Sequence, residues 1–301
     1  MGIVLGDHQY GKAESRLVRI DRDTARHEIR DLNVSTSLRG SFTEAHIYGD
    51  QSRVLPTDTQ KNTAYAFAKS AGIASIEEFG LTLARHFVDK TEPATGARVE
   101  IEEYSWRRAM ADGVEHDHTW IRSCEEVRTA AVTVEGKGDA QVVHVIGGLK
   151  DLVLLKSTGS EFHDFLTDEY TTLAETSDRV LSTSLVARWR FSTLEVDWDR
   201  VYGSVKQTMV TQFATLQSLA LQQTLWHMGK AVLRAHPEIA EIKFAAPNKH
   251  HFVVDLSPFG LANPGEVFVA ADRPYGLIQA TVARDDAPDA GAAWAPGAGL
   301  A

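Results

Sequence analysis

Asn248 and His250 are the side chains whose setting first suggests chemistry. They stand in Ala246-Pro247-Asn248-Lys249-His250-His251-Phe252, a polar stretch between the apolar runs 242–244 and 252–256. An apolar run, a Pro-Asn turn signal and a second apolar run predict two strands joined by a tight connection. Such a connection sets an amide and an imidazole at the rim of a sheet, where a scaffold can hold them for hydrogen bonding and proton transfer. A plain turn carrying surface histidines fits the same residues. Thr57 is a second candidate: it lies just before a helix expected over 61–70, where free amides and the positive end of the helix dipole favour a negative ligand. A third, Glu115-His116-Asp117-His118, is tempting for a metal. No further ligands stand at a fixed spacing from it, and a polar connection between strands explains it as well, so no metal is expected.

The elements that must position these groups can be read along the chain. Segments 9–20 and 26–38 alternate moderately and predict a hairpin with both strands half exposed. The stretch 40–50 reads as loop and 53–55 as a short strand delivering Pro56 and Thr57. A second helix starts at Ser75, which makes a Ser-x-x-Glu capping box with Glu78, and its core face is Ile76, Phe79, Leu83 and Phe87. Strands are expected over 98–110 and 119–134. The order then repeats: strands at 140–146 and 185–196, helices at 198–216 and 219–235, and strands at 241–245, 251–256 and 276–283. Antiparallel strands with a helix pair between them predict an α+β layered design, the helices on one sheet face. The expected boundaries are a first domain over 1–136, a second over 137–284 and a flexible Ala/Gly/Pro/Asp-rich tail over 285–301. Within the second, 147–184 shows little periodicity but carries Leu152, Leu154, Phe162, Phe165 and Tyr170, which predicts an ordered, site-forming excursion.

Bulk composition narrows the function. A formal charge of −10 and a pI near 5.6 argue against a nucleic-acid partner, which needs a clustered basic face. One cysteine, Cys124, excludes an internal disulfide framework and fits a reducing compartment. The start lacks the pattern of a secretory signal, no apolar run approaches a membrane span, and the final residues do not form a peroxisomal address. A cytoplasmic location and no membrane partner are therefore expected.

Five segments resemble, in order and separation, the urate oxidase (uricase) family of bacterial type. They are Tyr10-Gly11-Lys12, the run 57–63 (Thr-Asp-Thr-Gln-Lys-Asn-Thr), the run 155–162 (Leu-Lys-Ser-Thr-Gly-Ser-Glu-Phe), the run 168–173 leading to Asp178-Arg179, and Pro247-Asn248-Lys249-His250. The resemblance implies two tandem tunnelling-fold (T-fold) domains whose antiparallel sheets, from four subunits, assemble into a barrel. It also implies oxidation of urate by dioxygen and water to 5-hydroxyisourate and hydrogen peroxide, without a cofactor. Pro56 before Thr57 and His251 after His250 are mild departures from the family pattern.

The site roles follow from that resemblance. Arg179 offers a planar fork for the purine edge, Gln222 completes the other edge, Phe162 stacks on the ring, and Thr57, Asp58 and Asn248 also bind substrate. Gln223 stands next to Gln222, and either could face the site. Lys12, Thr57 and His250 form the base and its relay, while Thr57 and Asn248 hold dioxygen and later water. Either Lys12 takes the proton as a neutral amine, or the proton leaves through Thr57 and His250. The family shares each site between subunits of a homotetramer, so Lys12 and Thr57 would face the other residues across an interface. Two other readings remain open: a zinc-dependent T-fold ring hydrolase acting on a purine or pterin, and a purine-binding protein without turnover.

Overall fold

The computed structural model describes residues 2–297. They form two compact units. The first takes the chain up to Gly148, 190–199 and the stretch from Pro288; the second takes 149–189 and 200–287. Among the described residues no helix is long and apolar enough to cross a membrane.

In the first unit, β1 (Tyr10–Asp21) and β2 (Glu28–Gly40) make the expected hairpin. Then come α1 (Thr43–Ile47), α2 (Thr57–Ser70), α3 (Ile76–Lys90), β3 (Ala94–Glu103), β4 (Trp106–Ala111), β5 (Val114–Arg122) and β6 (Val127–Glu135). The strands β1, β2, β3 and β6 are antiparallel neighbours in that order, with β1 at the edge, while β4 and β5 form a separate ribbon. The Ser75 hydroxyl accepts the Glu78 amide at 3.1 Å and so starts α3 as the capping box predicts. Gly80 weakens a helix interior by roughly 1 kcal/mol, yet a Cβ there would meet Val132 of β6 at 3.0 Å. The missing side chain is what lets α3 lie close on the sheet.

Several expectations change in this unit. β2 is largely buried, because it is flanked by strands on both sides: Leu32, Val34 and Leu38 are at most 1% exposed. Residues 53–55 are not a strand but an irregular segment, with the Val54 amide bonded back to the Gln51 carbonyl at 3.0 Å. The stretches 98–110 and 119–134 each break in two. The tight turn between β4 and β5 is Asp112-Gly113, with φ of 51° and 82°, the Asp-Gly pair that hairpins favour. His116 and His118 therefore lie inside β5 rather than in a connection. Of the expected tail, 288–297 belong to this unit: Ala293 is fully buried and its carbonyl accepts the buried Arg98 guanidinium at 2.9 Å. Residues 298–301 lie outside the described residues.

The second unit takes the end of β7 (Val142–Lys156), most of β8 (Leu181–Phe191) and of α4 (Trp198–Thr215), then α5 (Leu221–Ala235), β9 (Ile239–Val253) and β10 (Phe268–Ala283). β10 is its edge strand and pairs antiparallel with β9. Val201, Val205, Met209 and Phe213 form the buried stripe of α4. α5 lies on β9 and β10, and a Cβ at Gly229 would meet Val282 of β10 at 2.5 Å. Each unit thus contains a helix brought close to its sheet by one glycine.

Two corrections matter for chemistry. The connection expected over 147–184 shrinks to 157–180, because β7 runs on to Lys156 and β8 begins at Leu181. The stretch 246–252 is not a turn between two strands; it lies within the continuous β9. The irregularity sits instead on the partner strand: Asn248 faces Gly276 and His250 faces Ala271, so residues 272–275 bulge out opposite Lys249. A proline is tolerated in a strand beside such a register shift.

Candidate active site

Lys12 is set by its neighbours on β1. A Cβ at Gly11 would fall 1.7 Å from the Thr36 carbonyl oxygen, so only glycine permits this approach of β1 to β2. Immediately afterwards β1 bulges: Lys12 pairs with Thr36 and Ser15 with Val34, leaving Ala13 and Glu14 opposite Ser35. Such bulges re-aim side chains. The Lys12 amide reaches the Thr36 hydroxyl at 3.4 Å, and that hydroxyl donates to the buried Gln60 side chain of α2 at 2.7 Å. Gln60 thereby ties the helix that starts at Thr57 to the strand beside Lys12.

Thr57 is the first residue of α2, after Pro56 at the N-cap. The Tyr10 hydroxyl accepts the Leu55 amide at 3.0 Å and anchors the approach to it. Asp58, exposed, takes the Lys61 ammonium at 2.5 Å and the Asn62 amide at 3.1 Å. The Lys61 hydrogen bond holds its carboxyl below the usual range, and Lys12 contributes through its charge. Lys12, Thr57 and Asp58 thus belong to one neighbourhood of the first unit. Sequence reading missed its supports, Thr36 and Gln60. The small-residue signal Gly11 before Lys12 could have pointed to the close strand approach.

The second unit gathers the remaining candidates. Arg179 carries its guanidinium carbon 5.2 Å from the Phe162 ring centroid, a cation–π contact, and Phe162 stacks on Phe165 at 5.0 Å. The Arg179 Nε approaches the Ser160 hydroxyl at 3.4 Å. Burial pushes its pKa down, and among the described residues no carboxylate pairs with it. A half-buried cation without a protein counter-charge is a ready site for an anion.

Gln222 and Gln223 separate by role. The Gln223 side-chain oxygen accepts the Leu219 amide at 2.9 Å, a local link at the start of α5. Gln222 is exposed at the second position of that helix. From Gln222 to Ala235, α5 rises about 20 Å, and the returning β9 covers that length by about Ala245. The end of β9 that bears Asn248 and His250 therefore lies at the N-terminal end of α5. Residues two apart on a strand share a face: Ile242, Phe244 and Ala246 are buried, and Asn248 and His250 continue that row as half-buried polar groups. The His250 ring also stacks with Phe252 at 5.7 Å. The structure thus brings Phe162 together with Arg179, and Asn248 together with His250.

The His116 and His118 rings pack edge to face at 4.4 Å; among the described residues no three His, Cys, Asp or Glu side chains are grouped as a metal ion would need.

Residues 8–133 and 145–279 match the sequence model of the family described as Uricase. The chain belongs to the uricase family. It is 54% identical to the uricase of Arthrobacter globiformis over 283 residues, covering 94% of this chain and 91% of that one. It is 38% identical to the uricase of Danio rerio, with 91% and 93% covered. The crystal structure of uricase from Arthrobacter globiformis superposes with a TM-score of 0.90 at 52% identity, over 96% of this chain and 98% of that one. The more distant uricase of Bacillus fastidious, at 24% identity, shares the fold with a TM-score of 0.80. As a uricase, the chain is an oxidoreductase that oxidises urate, built on the two-fold-repeated α+β scaffold of that family. The zinc-hydrolase and non-catalytic readings are set aside by this membership.

Proposed function

We propose that this uricase oxidises urate with dioxygen and water to 5-hydroxyisourate and hydrogen peroxide, without a cofactor, at sites completed between subunits of a homotetramer. The observation that carries the binding half is Arg179: half-buried, stacked on Phe162 and, among the described residues, paired with no carboxylate. Its fork takes the anionic edge of the purine bidentately, Phe162 offers the aromatic face, and the exposed Gln222 amide takes the opposite edge. The first-turn amides of α5 and α2 have no acceptor within their helices and suit a negative ligand; Thr57 and Asp58 open α2.

The chemistry is a two-electron oxidation of the ring. Lys12, through Thr57 and His250, takes a second proton from urate monoanion, and the resulting dianion passes electrons to dioxygen held by Asn248 and the Thr57 hydroxyl. The doubly reduced dioxygen takes the proton held by the Lys12 relay and one from solvent and leaves as hydrogen peroxide; a water then takes its place and adds to the oxidised ring, its hydroxyl forming the new C–O bond and its other proton going to a ring nitrogen. Fixed dipoles aimed at the developing peroxide act as an oxyanion hole does. The exposed free thiol of Cys124 is in keeping with a cytoplasmic enzyme.

Oxygen uptake with urate, followed alongside loss of urate absorbance on protein exhaustively treated with a chelator, tests the reading. One peroxide released per dioxygen consumed is the expected result. Uptake that begins only when a metal is restored overturns the cofactor-free assignment.

A further inference from the structure

We infer that a buried seam, in which Ser160 is bridged to Ser218 through the backbone and the Ser218 hydroxyl is bonded to that of Thr224, is the positioning device that holds Arg179 and Gln222 in register for one flat ring. The inference rests on reading those two residues as the purine-binding fork and amide. Residues 157–180 carry Phe162 and Arg179 but contain no long strand or helix, so something outside ordinary pairing must fix them. That attachment is a pair of bridges, Ser160 to Ser218 and Phe162 to Thr176. At the first, the Glu161 amide donates to the Ser218 carbonyl at 2.8 Å and the Ser218 amide to the Gly159 carbonyl at 2.9 Å. The Arg179 amide donates to the Ser160 carbonyl at 2.8 Å, beside the approach of its Nε to the Ser160 hydroxyl. Lys156 closes the same seam by donating to the Leu216 carbonyl at 2.6 Å.

The other side of the seam leads directly to Gln222. Ser218, Thr224 and Ser160 are each 0% exposed. The Ser218 and Thr224 hydroxyls lie 2.7 Å apart, and each reaches the Ala220 carbonyl at 3.2 Å. Each hydroxyl owns one proton, so one donates to the other, which donates to the carbonyl, and both are satisfied. Ala220 is the N-cap of α5 and has no side chain with which to cap it. The two hydroxyls instead grip the Ala220 carbonyl and so tie the start of α5 to the segment bearing Ser218, which sets where Gln222 stands relative to Arg179. Removing the Thr224 hydroxyl takes away its 2.7 Å link to Ser218 and leaves the Ala220 carbonyl one donor fewer, which loosens the start of α5. Small misplacements of positioning groups weaken binding and catalysis out of proportion to their size.

The test uses the full-length assembled protein and four variants: Thr224→Val, Thr224→Ser, Ser160→Ala and, as reference, Arg179→Ala. Steady-state oxygen uptake yields kcat and KM for urate, and titration yields the Kd of xanthine, a purine lacking the 8-oxygen. For Thr224→Val, KM and the xanthine Kd are expected to rise about tenfold with kcat changed less than about threefold, because ground-state and transition-state binding fall together. Thr224→Ser should restore both, and Ser160→Ala should weaken binding in the same direction. Unchanged affinities in Thr224→Val, or equal impairment in Thr224→Ser, overturn the inference. Should Thr224→Val fail to fold, Ser160→Ala decides, and unchanged affinity there overturns it. If Arg179→Ala itself leaves xanthine and urate affinity intact, the underlying site reading fails; if Arg179→Ala loses affinity while Thr224→Val does not, only the positioning role fails.

Discussion

At the scale of single residues, the two neighbourhoods ask different things of their cations. Arg179, proposed to bind the purine, touches the Phe162 ring and the Ser160 hydroxyl and, among the described residues, pairs with no carboxylate. Arg179→Ala should raise KM for urate about a hundredfold, since a buried anion loses a paired charge, typically about 3 kcal/mol or more; a change below about threefold in steady-state assays speaks against the fork. Lys12 has a catalytic assignment instead. Lys12→Met should lower kcat by a factor of about 10² to 10⁴, the usual range for a positioned base, while KM moves little. A kcat near that of the parent would reassign proton removal to Thr57 and His250. The types of these residues were legible from sequence because polar, reactive side chains recur in short runs. Thr36 and Gln60 were not, because a buried threonine in a strand and a glutamine in a helix carry no signal of their own until β2 and α2 meet.

At the scale of elements, backbone approach decides which residues can be replaced. Gly11 lets β1 run against Thr36 with no room for a methyl group: the Cβ would lie 1.7 Å from a backbone oxygen, which cannot rotate away as a side chain can. Gly11→Ala should therefore destabilise the protein by about 2 kcal/mol or more, at the upper end of overpacking costs, and shift the strand that bears Lys12. Chemical denaturation and urate turnover measured together check it, and an alanine variant of parental stability and rate contradicts the close approach. The capping box at Ser75 and the apolar stripes of α3 and α4 were readable because helix periodicity and local caps are written within a few residues. β9 was misread for the opposite reason. Pro247-Asn248 looks like a turn locally, but strand pairing is decided by the partner, and β10 absorbs the irregularity at 272–275.

At the scale of the whole molecule, each unit leaves one strand with an open edge, β1 in the first and β10 in the second. Val18 on β1 and Val269 on β10 are 56% and 54% exposed. Open strand edges are a liability that a partner's strand removes, which supports the proposed barrel-forming assembly. Val18→Lys, placing charge on that edge, should shift the protein toward smaller species on sizing and reduce activity in step. A variant that remains monomeric and fully active on dilution contradicts the shared site.

By itself the sequence determined the chemistry and the architecture class: the candidate groups stand in short motifs, and α+β layering follows from local periodicity. The tertiary structure decided how those groups are held. It showed that the 246–252 stretch continues a strand, so that Asn248 and His250 share one face. It also assigned Gln223 to the helix start, leaving Gln222 exposed beside it. Both outcomes depend on hydrogen bonds between segments far apart or between side chain and backbone, and propensity within a window of sequence carries no information about which partner a backbone group will find.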